Sequence, residues 1–140
     1  SKVITIDKID SVLPDADFLY LAVPGTPDTK NLISRKRLDM LKSTCGIVNI
    51  GRQSAMDYDA LCKKLEKNEI AGAILDVFTP EPVGKNSKLW DTPNLLITPH
   101  VSSDDHGNYV KLTLDIFIKN LKLFIDNKEL NNQVDKKLGY

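Results

Sequence analysis

The sequence has no long hydrophobic run, no excess of either charge and only two cysteines. No apolar segment approaches the roughly 20 residues that span a bilayer, and no signal-peptide pattern opens the chain. Nineteen Lys and Arg balance nineteen Asp and Glu, so the basic footprint of a nucleic-acid-binding or membrane-surface protein is missing. At 140 residues the chain is long enough for one domain with a substantial core. We therefore expect a soluble protein that binds a small, neutral or singly charged molecule.

The two cysteines indicate whether the protein works in a reducing or an oxidising cellular compartment. Cys45 and Cys62 lie in a predicted strand and a predicted helix, without C-x-x-C spacing. Structural thiols in a reduced, cytoplasmic protein are expected rather than a disulfide framework. Ser1 stands in place of an initiator Met, which fits either a processed or excised piece or a tag remnant before a natural start.

Apolar runs of strand length recur along the chain, and most of them are continuous rather than alternating. Continuous runs indicate burial on both faces, as in a parallel sheet covered by helices. Short helical segments fit between the runs, which predicts right-handed crossover units and an α/β, doubly wound parallel sheet. The five predicted strands are 3–6, 18–23, 47–50, 71–77 and 95–98.

Helix boundaries are suggested by capping residues and prolines. A short helix over 7–13 is expected to stop at Pro14. Ser34 and Asp57 are plausible N-caps of helices over 34–42 and 57–68.

The pattern changes after residue 98. One long helix is predicted over 104–126, with Asp104 and Asp105 favourable near its positive N-terminal end. Apolar residues lie on two of its sides, so it must be sandwiched between elements or between subunits. The polar tail over 127–140 is expected to be extended and partly mobile.

Polar side chains follow three of the predicted strands. Arg52 comes after the third run, Asp76 lies at the end of the fourth with Glu81 beyond it, and His100 comes after the fifth. Loops beyond the carboxyl ends of parallel strands share one crevice. An active site there could use all three kinds of side chain. The arginine would bind carboxylates, the histidine would exchange a proton near neutral pH, and the carboxylate would orient the histidine.

Several blocks of residues resemble the D-isomer-specific 2-hydroxyacid dehydrogenases, which reduce 2-keto acids with NADH or NADPH. Their order and separation carry the resemblance more than any single block does. The blocks are Asp15-Ala16-Asp17, Val23-Pro24-Gly25-Thr26-Pro27-Asp28-Thr29, Asn49-Ile50-Gly51-Arg52, Ala71 to Phe78 with Glu81-Pro82, and Leu89-Trp90 through Pro93-Asn94 to Thr98-Pro99-His100.

The resemblance implies a domain organisation. Residues 1–103 correspond to the later part of a Rossmann-like dinucleotide-binding domain, incomplete here, and 104–126 to a helix returning towards the substrate domain, followed by the tail 127–140. No G-x-G-x-x-G turn can be read among the seven glycines, and the resemblance implies that the N-terminal substrate domain is not among these 140 residues. The 140 residues alone are expected to be inactive.

By the same resemblance, three residues carry the chemistry. His100 is the general acid that protonates the keto oxygen, Glu81 bonds the imidazole and favours its charged form, and Arg52 clamps the substrate carboxylate. A structural histidine, a solvated loop carboxylate and a surface arginine are the ordinary alternatives. The family usually has Gly after this arginine, whereas Gln53 follows here and would be strained if that position needed positive φ.

The remaining site residues are implied cofactor contacts. Asp76 ends a buried strand and needs a partner, either the nicotinamide carboxamide or the loop that it caps. Arg52 and His100 also border the cofactor, and no metal ligand is predicted. The other implied contacts are Val23, Pro24 and Thr29 towards the adenine and ribose, and Ile50, Gly51 and Ser102 near the nicotinamide.

The resemblance thus predicts an oxidoreductase that transfers a hydride between NAD or NADP and a small 2-keto or 2-hydroxy acid, similar to glyoxylate/hydroxypyruvate reductases. A homodimer is expected for the full-length protein, without nucleic-acid or membrane partners. The alternatives are an NAD-sensing, co-repressor-like interaction protein and an inactive fragment of the dehydrogenase.

Overall fold

Four parallel strands form the sheet in the computed structural model, which describes residues 3–139. They lie side by side in chain order, as β1 (Phe18–Leu21), β2 (Gly46–Asn49), β3 (Gly72–Leu75) and β4 (Leu95–Ile97). The predicted α/β class with a parallel, Rossmann-like sheet is confirmed, and four of the five predicted strands are present.

The register aligns the carboxyl ends of the strands. Leu21 lies opposite Asn49, Asn49 opposite Leu75, and Leu75 opposite Ile97. The segments that leave the sheet at these residues therefore start from one common edge.

The prediction of a strand over 3–6 is wrong. Residues 3–5 have no regular structure, and Ile6 begins a 3₁₀ helix, Ile6–Ser11. Val3 is almost fully exposed, and within residues 3–139 this short run pairs with none of the four strands of the sheet. The predicted helix over 7–13 is likewise replaced by 3₁₀ turns, and Pro14 lies inside the second of them, Leu13–Asp15, instead of ending a helix.

The two helices between strands differ in how well the sequence predicted them. Helix α1 covers only Arg35–Leu38, because the chain continues in tighter turns in which the Met40 amide bonds the Arg37 carbonyl. Ser34 precedes α1 but makes no side-chain cap bond. Helix α2 covers Tyr58–Glu66, and the predicted cap is confirmed: the Asp57 carboxylate accepts from the Ala60 amide at 2.9 Å.

The core lies between α2 and one face of the sheet. Leu61 and Leu65 of α2 are completely buried and belong to the same cluster as Ile47 and Leu75 of the strands. This packing is what fixes the sheet and its loops, since each buried side chain of that size contributes about 1.5–3 kcal/mol.

Contacts divide the chain into two compact units, Ser1–Ser102 and Ser103–Tyr140. In the second unit, α3 covers Tyr109–Ile125 and starts five residues later than predicted. The Asp105 carboxylate accepts from the Gly107 and Asn108 amides at 3.1 and 3.2 Å, so it builds a turn before the helix rather than its first turn.

The segment after α3 consists of turns and irregular chain rather than an extended tail. Asn120 of α3 holds it by two hydrogen bonds to the backbone of Asn131, of 2.8 and 3.0 Å. Between residues 3 and 139, no helix combines the length and the apolar character needed to cross a membrane.

Candidate active site

Three loops at the carboxyl edge of the sheet carry the predicted site residues. Arg52 lies three residues beyond the end of β2, Asp76 directly follows β3, and His100 lies three residues beyond the end of β4. Because β2, β3 and β4 are neighbours, all three loops start at the same edge, where ligands of open α/β sheets bind.

His100 and Glu81 form a hydrogen-bonded pair. His100 Nδ1 lies 2.9 Å from Glu81 Oε2, and both side chains remain partly exposed, at 44% and 37%. An ionised carboxylate can only accept, so Nδ1 carries the proton in this bond. The other ring nitrogen, Nε2, is thereby left to exchange a proton with a ligand.

The second carboxylate oxygen of Glu81 is also bound. Oε1 accepts from the Phe78 amide at 2.7 Å. The hydrogen bond from His100 and then the one from Phe78 hold the pKa of Glu81 below its usual value, against a smaller opposing effect of burial. Glu81 is therefore ionised at neutral pH, and its negative charge lies beside Nδ1 of the imidazole.

Asp76 organises the loop that contains His100. Its carboxylate is 1% exposed; Oδ1 accepts from the Thr98 hydroxyl and, at 2.9 Å, from the Val101 amide, while Oδ2 accepts from the Ser102 amide at 2.9 Å. Burial alone would raise the pKa of Asp76, but the hydrogen bonds from Thr98, Ser102 and Val101 lower it to about 2. The partner that the sequence required for the buried carboxylate is therefore the loop after β4.

The loop backbone itself is unusual at the histidine. His100 has φ of 56°, in the left-handed region that non-glycine residues rarely adopt. Bonds from Asp76 to residues on both sides of His100 hold this conformation and so fix the direction of the imidazole. The sequence indicated that Asp76 needed a partner, but nothing in it identified the amides of Val101 and Ser102.

The loop that carries Arg52 is held by hydrogen bonds to the buried side chain of Asn49. Asn49 is completely buried; its Oδ1 accepts from the Gly51 amide at 3.0 Å and its Nδ2 donates to the Arg52 carbonyl at 3.2 Å. The Arg52 side chain is exposed and donates from Nη1 to the Gly51 carbonyl at 2.7 Å. Gln53 begins the 3₁₀ turn Gln53–Ala55, where φ is negative, so the strain considered for Gln53 does not arise.

Gly51 is required by a close backbone approach. A Cβ at this position would lie 2.6 Å from the carbonyl oxygen and 2.8 Å from the amide nitrogen of Val23. The loops after β1 and β2 are therefore in direct contact, and a larger residue would push them apart. Ile50 and Val23 are half-buried beside this contact.

Thr29 organises the loop after β1. It is buried, exchanges backbone–side-chain hydrogen bonds with Thr26 in a capping box, and donates from its hydroxyl to the Pro24 carbonyl at 2.6 Å. Pro24 and Ser102 are exposed at the edge. The cofactor contacts assigned to these residues stay predictions.

A cavity of about 400 Å³ opens beside the His100–Glu81 pair. Its walls include the side chains of Phe78, Trp90 and Ile97. A mostly apolar cavity with two converging polar groups is typical of a site for a small organic molecule.

The parallel sheet, with its polar loops gathered at the carboxyl edge, defines a nucleotide-binding domain of the Rossmann type. More particularly, the chain belongs to the D-isomer-specific 2-hydroxyacid dehydrogenase family, because the NAD-binding domain of that family matches residues 1–102.

Two relatives similar in sequence have names that indicate different substrates. Glyoxylate/hydroxypyruvate reductase B of Pectobacterium carotovorum is 42% identical over 98 residues, covering 70% of this chain and 31% of the relative. D-3-phosphoglycerate dehydrogenase of Synechocystis sp. is 37% identical over 112 residues, covering 80% of this chain and 20% of the relative. The matched segments therefore cover less than a third of the length of these two proteins.

A solved structure extends the similarity to the whole chain. The NADPH-dependent glyoxylate/hydroxypyruvate reductase of Sinorhizobium meliloti, in complex with NADP and sulfate, superposes with a TM-score of 0.88 at 28% identity. The superposition covers 100% of this chain and 47% of that one.

Proposed function

We propose that the protein to which this chain belongs reduces a small 2-keto acid with NADH or NADPH, and that His100, Glu81 and Arg52 carry the reaction. The observation that supports this most directly is the His100–Glu81 pair, with 2.9 Å between Nδ1 and Oε2, at the carboxyl edge of the sheet. A histidine that is oriented by a carboxylate on one ring nitrogen is a common arrangement for proton transfer from the other.

Each residue has a separate task in this proposal. The Arg52 guanidinium holds the substrate carboxylate through two parallel hydrogen bonds and polarises the neighbouring keto group. His100 gives a proton from Nε2 to the keto oxygen as the alcohol forms, and Glu81 stabilises the imidazolium before that transfer. Asp76 keeps the imidazole in place through the loop.

The residues at this edge fit the nicotinamide end of the cofactor. Val23 and Ile50 offer half-buried apolar surface, and Arg52, His100 and Ser102 offer exposed polar groups around it. When bound, the nicotinamide supplies the hydride. We assign Pro24, Thr29 and Gly51 to the same cofactor surface, and Asp76 to the carboxamide in addition to its loop.

The substrate we favour is glyoxylate or hydroxypyruvate, because relatives with those names have about 42% identity. We further propose that residues 1–103 act as the later part of the nucleotide-binding domain in a cytoplasmic homodimer, with the segment 104–126, which contains α3, returning towards the substrate domain. The apolar residues on two sides of α3 support the dimer, and light scattering of the purified protein would measure it.

The test is oxidation of NADH and NADPH by the complete protein with glyoxylate, hydroxypyruvate and pyruvate in turn. His100→Ala should abolish most of the turnover, whereas His106→Ala should not, because His106 is an exposed residue before α3. No turnover of any keto acid, together with NADH-dependent binding of a protein, would instead support the co-repressor-like alternative.

A further inference from the structure

The buried hydroxyl of Tyr58 lies between two of the loops that carry the site. Tyr58 is the first residue of α2 and is only 6% exposed. Its oxygen accepts from Asn49 Nδ2 at 3.0 Å and donates to the Val77 carbonyl at 2.9 Å. The direction of both bonds is fixed, because an amide nitrogen can only donate and a carbonyl can only accept.

One of these bonds leads to the arginine loop. Asn49 is the residue that bonds both the Gly51 amide and the Arg52 carbonyl. By accepting from Nδ2, Tyr58 fixes the orientation of the Asn49 amide group, which in turn holds the backbone on both sides of the Gly51–Arg52 peptide.

The other bond leads to the acid–base pair. The Val77 carbonyl and the Phe78 amide are the two ends of one peptide group, and that amide donates to Glu81 Oε1 at 2.7 Å. A hydrogen bond to the carbonyl polarises the peptide and strengthens the bond that its N–H donates. The Phe78 ring also lies edge-on to the Tyr58 ring, with 6.2 Å between centroids.

We propose that Tyr58 is a positioning residue, which couples the Arg52 loop to the Glu81–His100 pair through Asn49 and through the Val77–Phe78 peptide. This inference rests on the proposed function only for the roles of Arg52, Glu81 and His100. The chain of hydrogen bonds is continuous from the Arg52 carbonyl to the His100 imidazole. It sets the relative position of the substrate clamp and the proton donor.

The Tyr58 hydroxyl could serve only to fill a buried polar position, or it could also strengthen the bond from the Phe78 amide to Glu81. Removing the hydroxyl changes the Glu81 pKa only in the second case. Burial raises the pKa of Tyr58 well above its usual value, so the phenol stays protonated and keeps donating at every pH at which an enzyme would work. Tyr58→Phe removes this donor while leaving the ring. His100 and Asp76, the other titratable groups that act on Glu81, are unchanged in that variant.

The decisive measurement is the titration of the Glu81 carboxyl carbon by NMR in the complete protein. In Tyr58→Phe we expect the Glu81 pKa to rise towards the ordinary value of 4.5, because the Phe78 amide becomes a weaker donor. Tyr20→Phe is the control, since Tyr20 is 60% exposed on β1. An unchanged Glu81 titration in folded Tyr58→Phe protein would overturn the proposal.

A second measurement covers the case in which Tyr58→Phe does not fold. Biosynthetic 3-fluorotyrosine keeps the hydroxyl and makes it a stronger donor, so the Phe78 amide proton should move downfield. Incorporation into the Tyr20→Phe protein removes the contribution of Tyr20. A Phe78 amide that does not move would equally overturn the proposal.

Activity separates this inference from the proposed function. Tyr58→Phe should lower kcat/KM for the keto acid roughly 2- to 10-fold, the effect of one ordinary hydrogen bond. If the Glu81 titration shifts but no keto acid is reduced by the parent protein, the coupling stands and the proposed function fails. If the parent is active and the titration does not shift, the function stands and the coupling fails.

Discussion

Asp76→Asn tests how strongly the buried carboxylate holds the His100 loop. The exchange keeps the size of the side chain but replaces one oxygen by an NH₂ group. That group would face either the Ser102 amide or the Thr98 and Val101 donors, and two donors cannot bond each other. The variant therefore resembles the protonated form of Asp76.

The pKa of Asp76 sets the expected magnitude. Its value in the folded protein is about 2, against the ordinary 3.8, and that difference corresponds to about 2 kcal/mol in favour of the ionised, folded state. Because the pKa is lowered on folding, this stabilisation is complete above pH 4 and is lost as pH falls from about 4 to about 2.

Urea unfolding followed by circular dichroism gives the free energy of unfolding at each pH. At pH 7 we expect Asp76→Asn to be about 2 kcal/mol less stable than the parent, and the difference to shrink as pH falls towards 2. Asp91→Asn is the control, since Asp91 is exposed. A variant as stable as the parent at pH 7, or a difference that is the same at pH 7 and pH 2, would refute the reasoning.

The remaining predictions concern catalysis by the complete protein. His100→Ala should lower kcat by roughly 10²–10⁴-fold, the range that general acid–base catalysis supplies; near-normal kcat would remove His100 from the mechanism. Arg52→Lys should raise KM for keto acids strongly in initial-rate assays, because the charge survives but the planar pair of donors does not, and an unchanged KM would contradict the clamp. Glu81→Gln should lower kcat in the same assays, because a neutral amide oxygen is a weaker acceptor for the Nδ1–H of His100 than a carboxylate; an unchanged kcat would make Glu81 an ordinary loop residue.

The sequence predicted the sheet better than the elements around it. Continuous apolar runs marked β1 to β4 correctly, but the burial of both faces that they predicted is wrong for these residues: the core covers one face of the sheet, and Tyr20 on β1 and Leu96 on β4 are 60% and 56% exposed. The same pattern failed at residues 3–6, which pair with none of the four strands. An apolar run forms a strand only where another strand is available beside it, and the run itself does not reveal that. Asp57 was a reliable cap because its bond to the Ala60 amide is local.

Helix starts that depend on turns were less predictable. Asp104 and Asp105 suit a helix N-terminus by charge, yet the carboxylate of Asp105 bonds the Gly107 and Asn108 amides and shapes a turn. A short acidic side chain supports either conformation locally. The choice between them is not visible in charge or spacing.

The candidate site residues were predicted as separate positions, and of the bonds around them only the one between Glu81 and His100 was predicted. Arg52, Glu81 and His100 stood out because each follows a strand and bears a group with clear chemistry. Asn49 and Tyr58 did not, since a strand-end asparagine and a helical tyrosine are common and their partners lie on other elements. Only the three-dimensional arrangement shows that they connect the loops.

The left-handed backbone of His100 explains why the carboxylate of Asp76 is buried beside it. Holding a non-glycine residue in that region costs about 1–3 kcal/mol where the conformation is strained, and the charge-assisted bonds from the Thr98, Val101 and Ser102 groups to Asp76 offset this cost. An apolar residue at position 76 would remove the desolvation penalty but also the three bonds that the Asp76 carboxylate accepts from the loop. The buried Asp76 carboxylate therefore serves to hold His100 in its left-handed conformation. It can do so because Asp76 directly follows β3, so its own position is fixed by the sheet.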